Sequence, residues 1–267
     1  MSFCVINGVR IFYECEGEGP PLVLVHGAGQ DTVSWRYNVP HFARSHRVIA
    51  LDLPGHGKSG MVLPHISATD DFVRFVWGVI DALNLERPVL AGHSMGSGIC
   101  LAVALEHGPR LGGVVAVDGA DKVVGVFGEE IHEAYINSPL DLMMEMSMES
   151  FRALCSTSTP QERIEEIAQD LLRIHPRVTA SDTRAFNSFN ISERSGDICV
   201  PVLFISGAED FLVTPTMVRE TASRFPNSQV VILDGVGHFP HTEAPERFNR
   251  EVSEWLARVQ KGARYST

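Results

Sequence analysis

The sequence is poor in positive charge and in long apolar runs. It holds 22 Lys and Arg residues against 33 Asp and Glu, for a formal net charge of −11 at pH 7. Proteins that bind nucleic acid or anionic lipid use clustered Lys and Arg. The apolar run at residues 99–105 is much shorter than the roughly 20 residues that span a bilayer. We therefore expect neither nucleic acid nor a membrane among the partners of this protein.

Cysteine is also scarce, with five widely spaced residues and no C-x-x-C pair. This odd, scattered set disfavours a disulfide framework and a zinc site, so we expect no metal. The first residues show no basic segment followed by an apolar stretch, which is the pattern of a signal peptide. Reduced thiols in a cytoplasmic protein are the expectation that follows.

Short apolar runs alternate with helical patterns along most of the chain. Two runs flank Asn7-Gly8, a dipeptide typical of a hairpin between antiparallel strands. The later runs are continuously apolar, as in strands covered on both faces, and they lie at residues 21–26, 47–52, 88–92, 113–118, 200–206 and 230–234. An amphipathic stripe predicts a helix at residues 69–83, and further helices are predicted between or after the strands at residues 95–107, 217–225 and 244–259. This alternation predicts the α/β class, with a mostly parallel sheet and helices on both faces.

Residues 121–197 interrupt this alternation, because no strand pattern recurs there. Residues 161–174 form an amphipathic stripe, and residues 131–148 form a second helical region broken at Pro139. We predict a core domain made of residues 1–120 and 198–267, with residues 121–197 inserted as a helical cap.

A candidate nucleophile lies in Gly92-His93-Ser94-Met95-Gly96, a G-x-S-x-G sequence between a predicted strand and a predicted helix. In this context the serine occupies a tight turn that exposes its hydroxyl, and the glycines prevent steric clashes. The following helix directs its N-terminal N–H groups at the same place. Ser94 is therefore the predicted nucleophile.

Serine needs a base to take its proton, and His238 is the best candidate because it directly follows the last predicted strand. His241 precedes a helix start, where a surface or capping role is the expectation. His26 and His93 flank their turns and are expected to have structural roles there.

A carboxylate must orient the imidazole, and Asp210 follows the predicted strand that ends near residue 206. The chain order Ser94, Asp210, His238 is that of one of the known serine triads. Glu209 and Asp118 are the rival acids. Glu209 would point away if Asp210 points inwards, whereas Asp118 ends an earlier strand and could serve a rearranged triad.

The negative charge that develops on a carbonyl oxygen needs preorganised donors. The Met95 N–H directly follows the nucleophile, and the second donor should come from the loop His26-Gly27-Ala28-Gly29. We choose the N–H of Ala28 for this oxyanion hole, with that of Gly29 as the second choice.

Taken together, these motifs resemble those of the α/β-hydrolase superfamily over residues 20–256. Besides Ser94, Asp210 and His238, the matching segments are residues 26–29 and the shaping turn at residues 52–59. The resemblance implies an eight-stranded, mostly parallel sheet with a helical cap after the sixth strand. Dehalogenases and epoxide hydrolases of this fold use an aspartate nucleophile. The serine at position 94 therefore disfavours both activities.

The expected function is cofactor-independent hydrolysis of carboxylic esters of small, neutral, apolar or aromatic molecules, through an acyl-enzyme on Ser94. The sequence offers no basic cluster for an anionic substrate. Residues that could form an adaptable apolar pocket are Gly29, Trp35, Met144, Phe151, Phe189 and Phe239.

Two alternatives and the oligomeric state, monomer or homodimer, stay open. The same triad could act in a lactonase or in a carbon–carbon bond hydrolase of ring-fission products. Those carbon–carbon hydrolases resemble the chain in length and cap, but many carry a tryptophan where this chain has Phe239. A ligand receptor that keeps the hydrolase fold and signals through its cap is the second alternative.

Overall fold

The structure is a computed structural model, and it describes residues 2–123 and 129–264. Its centre is an eight-stranded sheet with the order β1-β2-β4-β3-β5-β6-β7-β8. The strands are β1 (Ser2–Ile6), β2 (Val9–Glu16), β3 (Pro21–Val25), β4 (Arg47–Leu51), β5 (Val89–His93), β6 (Gly113–Val117), β7 (Val202–Gly207) and β8 (Ser228–Leu233). β1 pairs antiparallel with β2, and β2 pairs antiparallel with β4. The other neighbouring strands in this order, β4, β3, β5, β6, β7 and β8, pair parallel. The predicted hairpin and the predicted mostly parallel sheet are therefore confirmed.

Helices connect the strands and cover both faces of the sheet. They are α1 (Val39–Phe42), α2 (Thr69–Ala82), α3 (Met95–His107), α4 (Glu129–Asn137), α5 (Leu140–Leu154), α6 (Gln161–Asp170), α7 (Pro176–Asn187), α8 (Pro215–Ala222), α9 (Pro240–Glu243) and α10 (Pro245–Arg264). Among the helices of the described residues, none is both long enough and apolar enough to cross a bilayer.

Two apolar layers form the core, one on each face of the sheet. On β3, Val23 and Val25 belong to one layer, whereas Leu22 and Leu24 belong to the other. All four side chains are fully buried, because successive side chains of a strand point to opposite faces. This is the reason that the central strands read as continuous apolar runs in the sequence.

In the chain, helices α4 to α7 come after β6 and before β7, within the segment predicted as a cap. The insertion is closed at its base by a short antiparallel neck, in which Lys122 and Asn190 form a bridge. The Val123 N–H donates to the Phe189 carbonyl at 2.9 Å, and the Ile191 N–H donates to the Asp121 carbonyl at 2.8 Å. The break predicted at Pro139 separates α4 from α5, since proline cannot continue a hydrogen-bonded helix. Part of the predicted cap, residues 124–128, lies outside the described residues.

Candidate active site

The candidate catalytic residues follow neighbouring parallel strands at the same edge of the sheet. Ser94 directly follows β5, Asp118 follows β6, Asp210 lies shortly after β7, and His238 lies shortly after β8. Because parallel strands present their carboxyl ends together, residues far apart in the sequence meet at this edge.

Ser94 occupies a strained turn between β5 and α3. Its backbone has φ 50° and ψ −114°, in the region of positive φ that is rare for a residue with a side chain. A Cβ at Gly92 would overlap the carbonyl of Gly96, and a Cβ at Gly96 would overlap the carbonyl of His26. The glycines that flank Ser94 are thus required by close backbone approach, as the G-x-S-x-G pattern predicts.

The imidazole of His238 is hydrogen-bonded to Asp210, with 2.7 Å between Nδ1 and Oδ2, and both side chains are buried. The other carboxylate oxygen, Oδ1, accepts from the N–H groups of Leu212 and Val213. Burial acts to raise the pKa of Asp210, but the interaction with His238 and these two donors outweigh it, so the pKa lies below its ordinary value. The carboxylate is therefore kept ionised next to the ring.

Ser94 and His238 lie on the wall of one cavity. Among the described residues no hydrogen bond joins the two side chains, and Asp210 occupies Nδ1, which leaves Nε2 as the ring atom available to a hydroxyl. A hydrogen bond from a nucleophile to its base commonly tightens only when substrate is bound.

Asp118, the rival acid, lies beside Asp210 and is fully buried. Its Oδ1 accepts from Ser206 Oγ at 2.6 Å and from the Gly207 N–H at 3.1 Å, while Oδ2 is buried with no hydrogen-bond partner among the described residues. Burial and then the charge of Asp210 raise the pKa of Asp118 well above its ordinary value. Two adjacent carboxyl groups cannot both ionise readily, so Asp118 is the protonated member of the pair.

The predicted oxyanion loop presents one unused N–H group. The Gly27 N–H donates to the Gln30 side chain, the Gly29 N–H donates to Asp182, and the Gln30 N–H donates to the Gly27 carbonyl. Within residues 2–123 and 129–264, the Ala28 N–H has no such partner, and Ala28 lines the cavity. This geometry favours Ala28 over Gly29 as the donor. Met95 begins α3, so its N–H is among those that a helix leaves unpaired at its N-terminus.

Buried histidines pack against the ring of His238, the candidate base. His93 Nε2 donates to the His238 carbonyl at 2.7 Å, in keeping with the structural role predicted for His93. His241 is fully buried and its ring packs at a tilt against those of Trp35 and His93, so the expectation of a surface role is wrong. Burial, followed by the charge of His238 and then that of Arg36, lowers the pKa of His241 to about 3.

One group of possible metal ligands occurs among the described residues: one ligand atom each from His93, Asp118 and His238, all within 4.8 Å of one another. Hydrogen bonds already use the ring nitrogens of His93, with Gln30 and with the His238 carbonyl. Nδ1 of His238 is bonded to Asp210. These residues therefore do not fit a metal ion.

The cavity has a volume of about 410 Å³ and lies between the sheet edge and the cap. The predicted pocket residues Phe151 and Phe239 line it, with their ring centroids 5.3 Å apart. The other apolar and aromatic residues that line it are Ala28, Ile131, Ala134, Tyr135, Met143, Met146, Leu154, Phe186 and Leu212. No Lys or Arg side chain of the described residues lines the cavity, and Glu130 is the one carboxylate among its lining residues.

Four predicted pocket residues lie elsewhere, and these predictions are wrong. Trp35 is fully buried against His241 and Phe248 on the other side of the histidine group. The Phe189 ring packs on Gly98 of α3. Gly29 is covered by Leu171 and Thr179 of the insertion, and Met144 faces a separate gap of about 10 Å³. Burial in the core or under the insertion, rather than exposure to the cavity, explains these apolar residues.

Sequence reasoning missed two buried carboxylates, Asp182 and Glu243. Glu243 Oε1 accepts from the Phe239 N–H, and Oε2 accepts from the N–H groups of Gly237 and Ser156. Oε2 also accepts from the Thr159 hydroxyl at 2.5 Å. One side chain therefore holds the loop on both sides of His238 and ties it to the insertion.

Comparison with known proteins agrees with this architecture. A family model described as "alpha/beta hydrolase fold" matches residues 20–245, so the chain belongs to the α/β-hydrolase family. It is 30% identical over 266 residues to a 2-hydroxy-6-oxononadienedioate/2-hydroxy-6-oxononatrienedioate hydrolase of Burkholderia vietnamiensis, covering 94% of this chain and 92% of the relative. It is 29% identical over 260 residues to an (E)-2-((N-methylformamido)methylene)succinate hydrolase of Acinetobacter baylyi, covering 94% of this chain and 95% of the relative.

Solved structures show the same fold. A thermophilic esterase from Thermogutta terrifontis superposes with a TM-score of 0.86 at 26% identity, covering 97% of this chain and 99% of the esterase. An enol-lactonase from Burkholderia xenovorans superposes with a TM-score of 0.87 at 23% identity, covering 96% and 100%. The protein is therefore a hydrolase of the α/β-hydrolase fold, and its relatives include carbon–carbon bond hydrolases and esterases.

Proposed function

We propose that the protein hydrolyses carboxylic esters whose acyl or alcohol part is small, uncharged and apolar or aromatic. The observation that carries this proposal is the cavity of about 410 Å³, which holds Ser94 and His238 and has an apolar lining without Lys or Arg among the described residues. A negatively charged substrate group in such a cavity would lose its hydration without gaining a partner of opposite charge. An apolar ester pays no such cost.

In the proposed mechanism, Ser94 Oγ attacks the ester carbonyl while His238 Nε2 takes the hydroxyl proton. Asp210 holds the ring through Nδ1 and stabilises the imidazolium. The N–H groups of Ala28 and Met95 hold the negative oxygen of the tetrahedral intermediate. His238 then returns the proton to the leaving alcohol, and water attacks the acyl-enzyme with His238 as base.

Burst kinetics with a short-chain 4-nitrophenyl ester test this proposal. We expect a burst of nitrophenolate in the wild type and a loss of at least about 10³-fold in kcat in Ser94→Ala. Ser97→Ala is the matched control, because this buried hydroxyl lies one turn later on α3 and has no hydrogen-bond partner among the described residues. A rate in Ser94→Ala within about tenfold of the wild type would refute the role of Ser94.

Carbon–carbon bond hydrolysis, with lactone opening beside it, is the second candidate, and the name of the relative at 30% identity favours it. The substrate of the Burkholderia vietnamiensis relative is a dioate, which carries two carboxylates. The absence of Lys and Arg from the described cavity lining favours the ester instead. A panel of neutral esters, lactones and a ring-fission dienedioate separates the candidates by kcat/KM. Turnover of the dienedioate well above that of every ester would replace the ester proposal.

The same panel tests the receptor alternative. Turnover below one equivalent for every compound, together with a ligand-dependent rise in melting temperature, would indicate a binding protein.

A further inference from the structure

The insertion places a buried carboxylate directly against the oxyanion loop. Asp182 lies on α7, and its side chain is fully buried. Its Oδ2 accepts from the Gly29 N–H at 2.9 Å and from His56 Nε2 at 2.8 Å. Its Oδ1 is buried and has no hydrogen-bond partner among the described residues. Burying an unpaired carboxylate costs free energy, so a buried Asp182 needs a partner of opposite charge.

His56 provides the pairing charge. Its Nδ1 faces the Pro54 carbonyl at 3.1 Å, and its Nε2 faces Asp182. Both neighbouring atoms are oxygen acceptors, so both ring nitrogens must carry hydrogen, and the ring is an imidazolium. Burial acts to lower the pKa of His56, but the charge and hydrogen bond of Asp182 outweigh it and the pKa is raised.

The other titratable groups around this pair are His26 and Asp52 on the core side. The His26 ring lies 4.7 Å from that of His56, and burial, followed by the charge of His56, lowers its pKa to about 3, so it stays neutral. The charge of Asp52 adds to the raised pKa of His56. On the insertion side, burial and then the charge of Asp182 raise the pKa of Tyr135, whose phenol is therefore neutral.

The hydrogen bond from Gly29 fixes the loop at the residue next to Ala28. Gly29 has a φ of +66°, a conformation that favours glycine, and Leu171 and Thr179 of the insertion occupy the place of a side chain. The peptide group between Ala28 and Gly29 is planar, so a fixed Gly29 N–H also fixes the carbonyl group and Cα of Ala28. Asp182 therefore restrains the orientation of Ala28, which lines the cavity and whose N–H has no hydrogen-bond partner among the described residues.

We propose that Asp182 is a positioning residue: from the cap it holds the Gly29 N–H and so aims the Ala28 N–H at the developing oxyanion, while His56 holds the same carboxylate oxygen from the core side. The inference rests on the proposed function, in which Ala28 serves the oxyanion hole. It goes further because the cap then supplies a side chain that positions the oxyanion hole, besides covering the substrate.

The test uses diethyl 4-nitrophenyl phosphate, a neutral probe that needs no knowledge of the natural substrate. Ser94 Oγ forms a bond to phosphorus, the bond to 4-nitrophenolate breaks, and the serine proton passes to His238. The phosphoryl oxygen takes the place of the oxyanion. The measured quantities are the rate constant of labelling at saturation and the concentration for half-saturation.

Asp182→Val removes the acceptor at similar size, whereas Asp182→Asn keeps an oxygen for Gly29 but loses the charge. Asp170→Asn is the matched control, because Asp170 also forms an ion pair between insertion and core, with Arg36, but does not contact the oxyanion loop. Asp182→Ser, with its shortened side chain, replaces the valine variant if that variant does not fold.

We expect the labelling rate constant of Asp182→Val to fall by about 10- to 100-fold with an almost unchanged half-saturation, since a misplacement of about 1 Å can cost 10²-fold. Asp182→Asn should recover most of this loss, and Asp170→Asn should match the wild type. Equal rates in Asp182→Val and Asp170→Asn would overturn the proposal, as would an equal loss in the asparagine and valine variants. Failure of the proposed function looks different: wild-type esterase activity would be absent, or labelling would survive in Ser94→Ala.

Discussion

Glu243 offers a sharp test of how the catalytic histidine is held, through the substitution Glu243→Gln. The carboxylate accepts from the N–H groups of Gly237 and Phe239 on either side of His238, and from Ser156 and Thr159 of the insertion. Glutamine has one oxygen in place of two. Its oxygen can serve the three donors at Oε2, and its NH₂ group would then oppose the Phe239 N–H.

The magnitude follows from these contacts. The lost hydrogen bond to a charged acceptor is worth about 1.5–3 kcal/mol, and the three that remain become weaker because the acceptor is now neutral. We expect a total loss of about 3 kcal/mol in the free energy of unfolding. At about 2–4 °C per kcal/mol for a domain of this size, the melting temperature should fall by roughly 6–12 °C. Displacement of the loop should also lower kcat by about 10-fold or more.

Thermal unfolding and ester hydrolysis by the same preparations measure both effects. Glu246→Gln is the matched control, since Glu246 is an exposed acid three residues further on. Thr159→Val removes one of the four donors and should give a smaller loss of about 1 kcal/mol. A melting temperature and kcat for Glu243→Gln equal to those of Glu246→Gln would refute the reasoning. A lower melting temperature with unchanged kcat would show that Glu243 holds the insertion but not the histidine loop.

The remaining predictions concern charge. Asp118→Asn should keep kcat within about threefold of the wild type, because the carboxyl group is already neutral, whereas Asp210→Asn should lower it by about 10⁴-fold; equal losses would contradict this assignment. The pKa of His56 is raised in the folded protein. The stabilisation by the protonated ring is therefore complete below the unfolded-state pKa of about 6.5 and is lost as the pH rises through the folded-state pKa. The melting temperature should therefore decline more steeply towards pH 9 in the wild type than in His56→Gln, and parallel curves would contradict this. Met146→Lys at the cavity should raise kcat/KM for an acidic ester relative to a neutral one by about fivefold, whereas Met61→Lys, away from the cavity, should not.

Much of the fold was predictable because its signals are local. The hairpin at Asn7-Gly8, the apolar central strands and the turn at Ser94 each depend on neighbouring residues, and each is confirmed in the structure. Helix α7 was not predicted. Thr179, Asp182 and Thr183 are buried polar residues on this helix, so its buried face does not read as an apolar stripe.

The site was predictable only where strand order places residues together. The carboxyl end of each parallel strand is visible in the sequence, and this brought Ser94, Asp210 and His238 to one edge. The partners of Asp182 and Glu243 depend on tertiary packing between the insertion and the core, which no local pattern records. The same reason explains the errors at Trp35 and Phe189: an apolar side chain looks alike in the sequence whether it lines a cavity or fills the core.

The neck of the insertion has an evolutionary consequence. Because the chain leaves and re-enters the core side by side at Lys122 and Asn190, a segment of different length can be exchanged there without changing the register of β6 and β7. New substrates could thus be acquired by grafting a different lid onto an unchanged sheet. If Asp182 positions the oxyanion loop as proposed, such a graft would keep full activity only when it also supplied an acceptor for the Gly29 N–H.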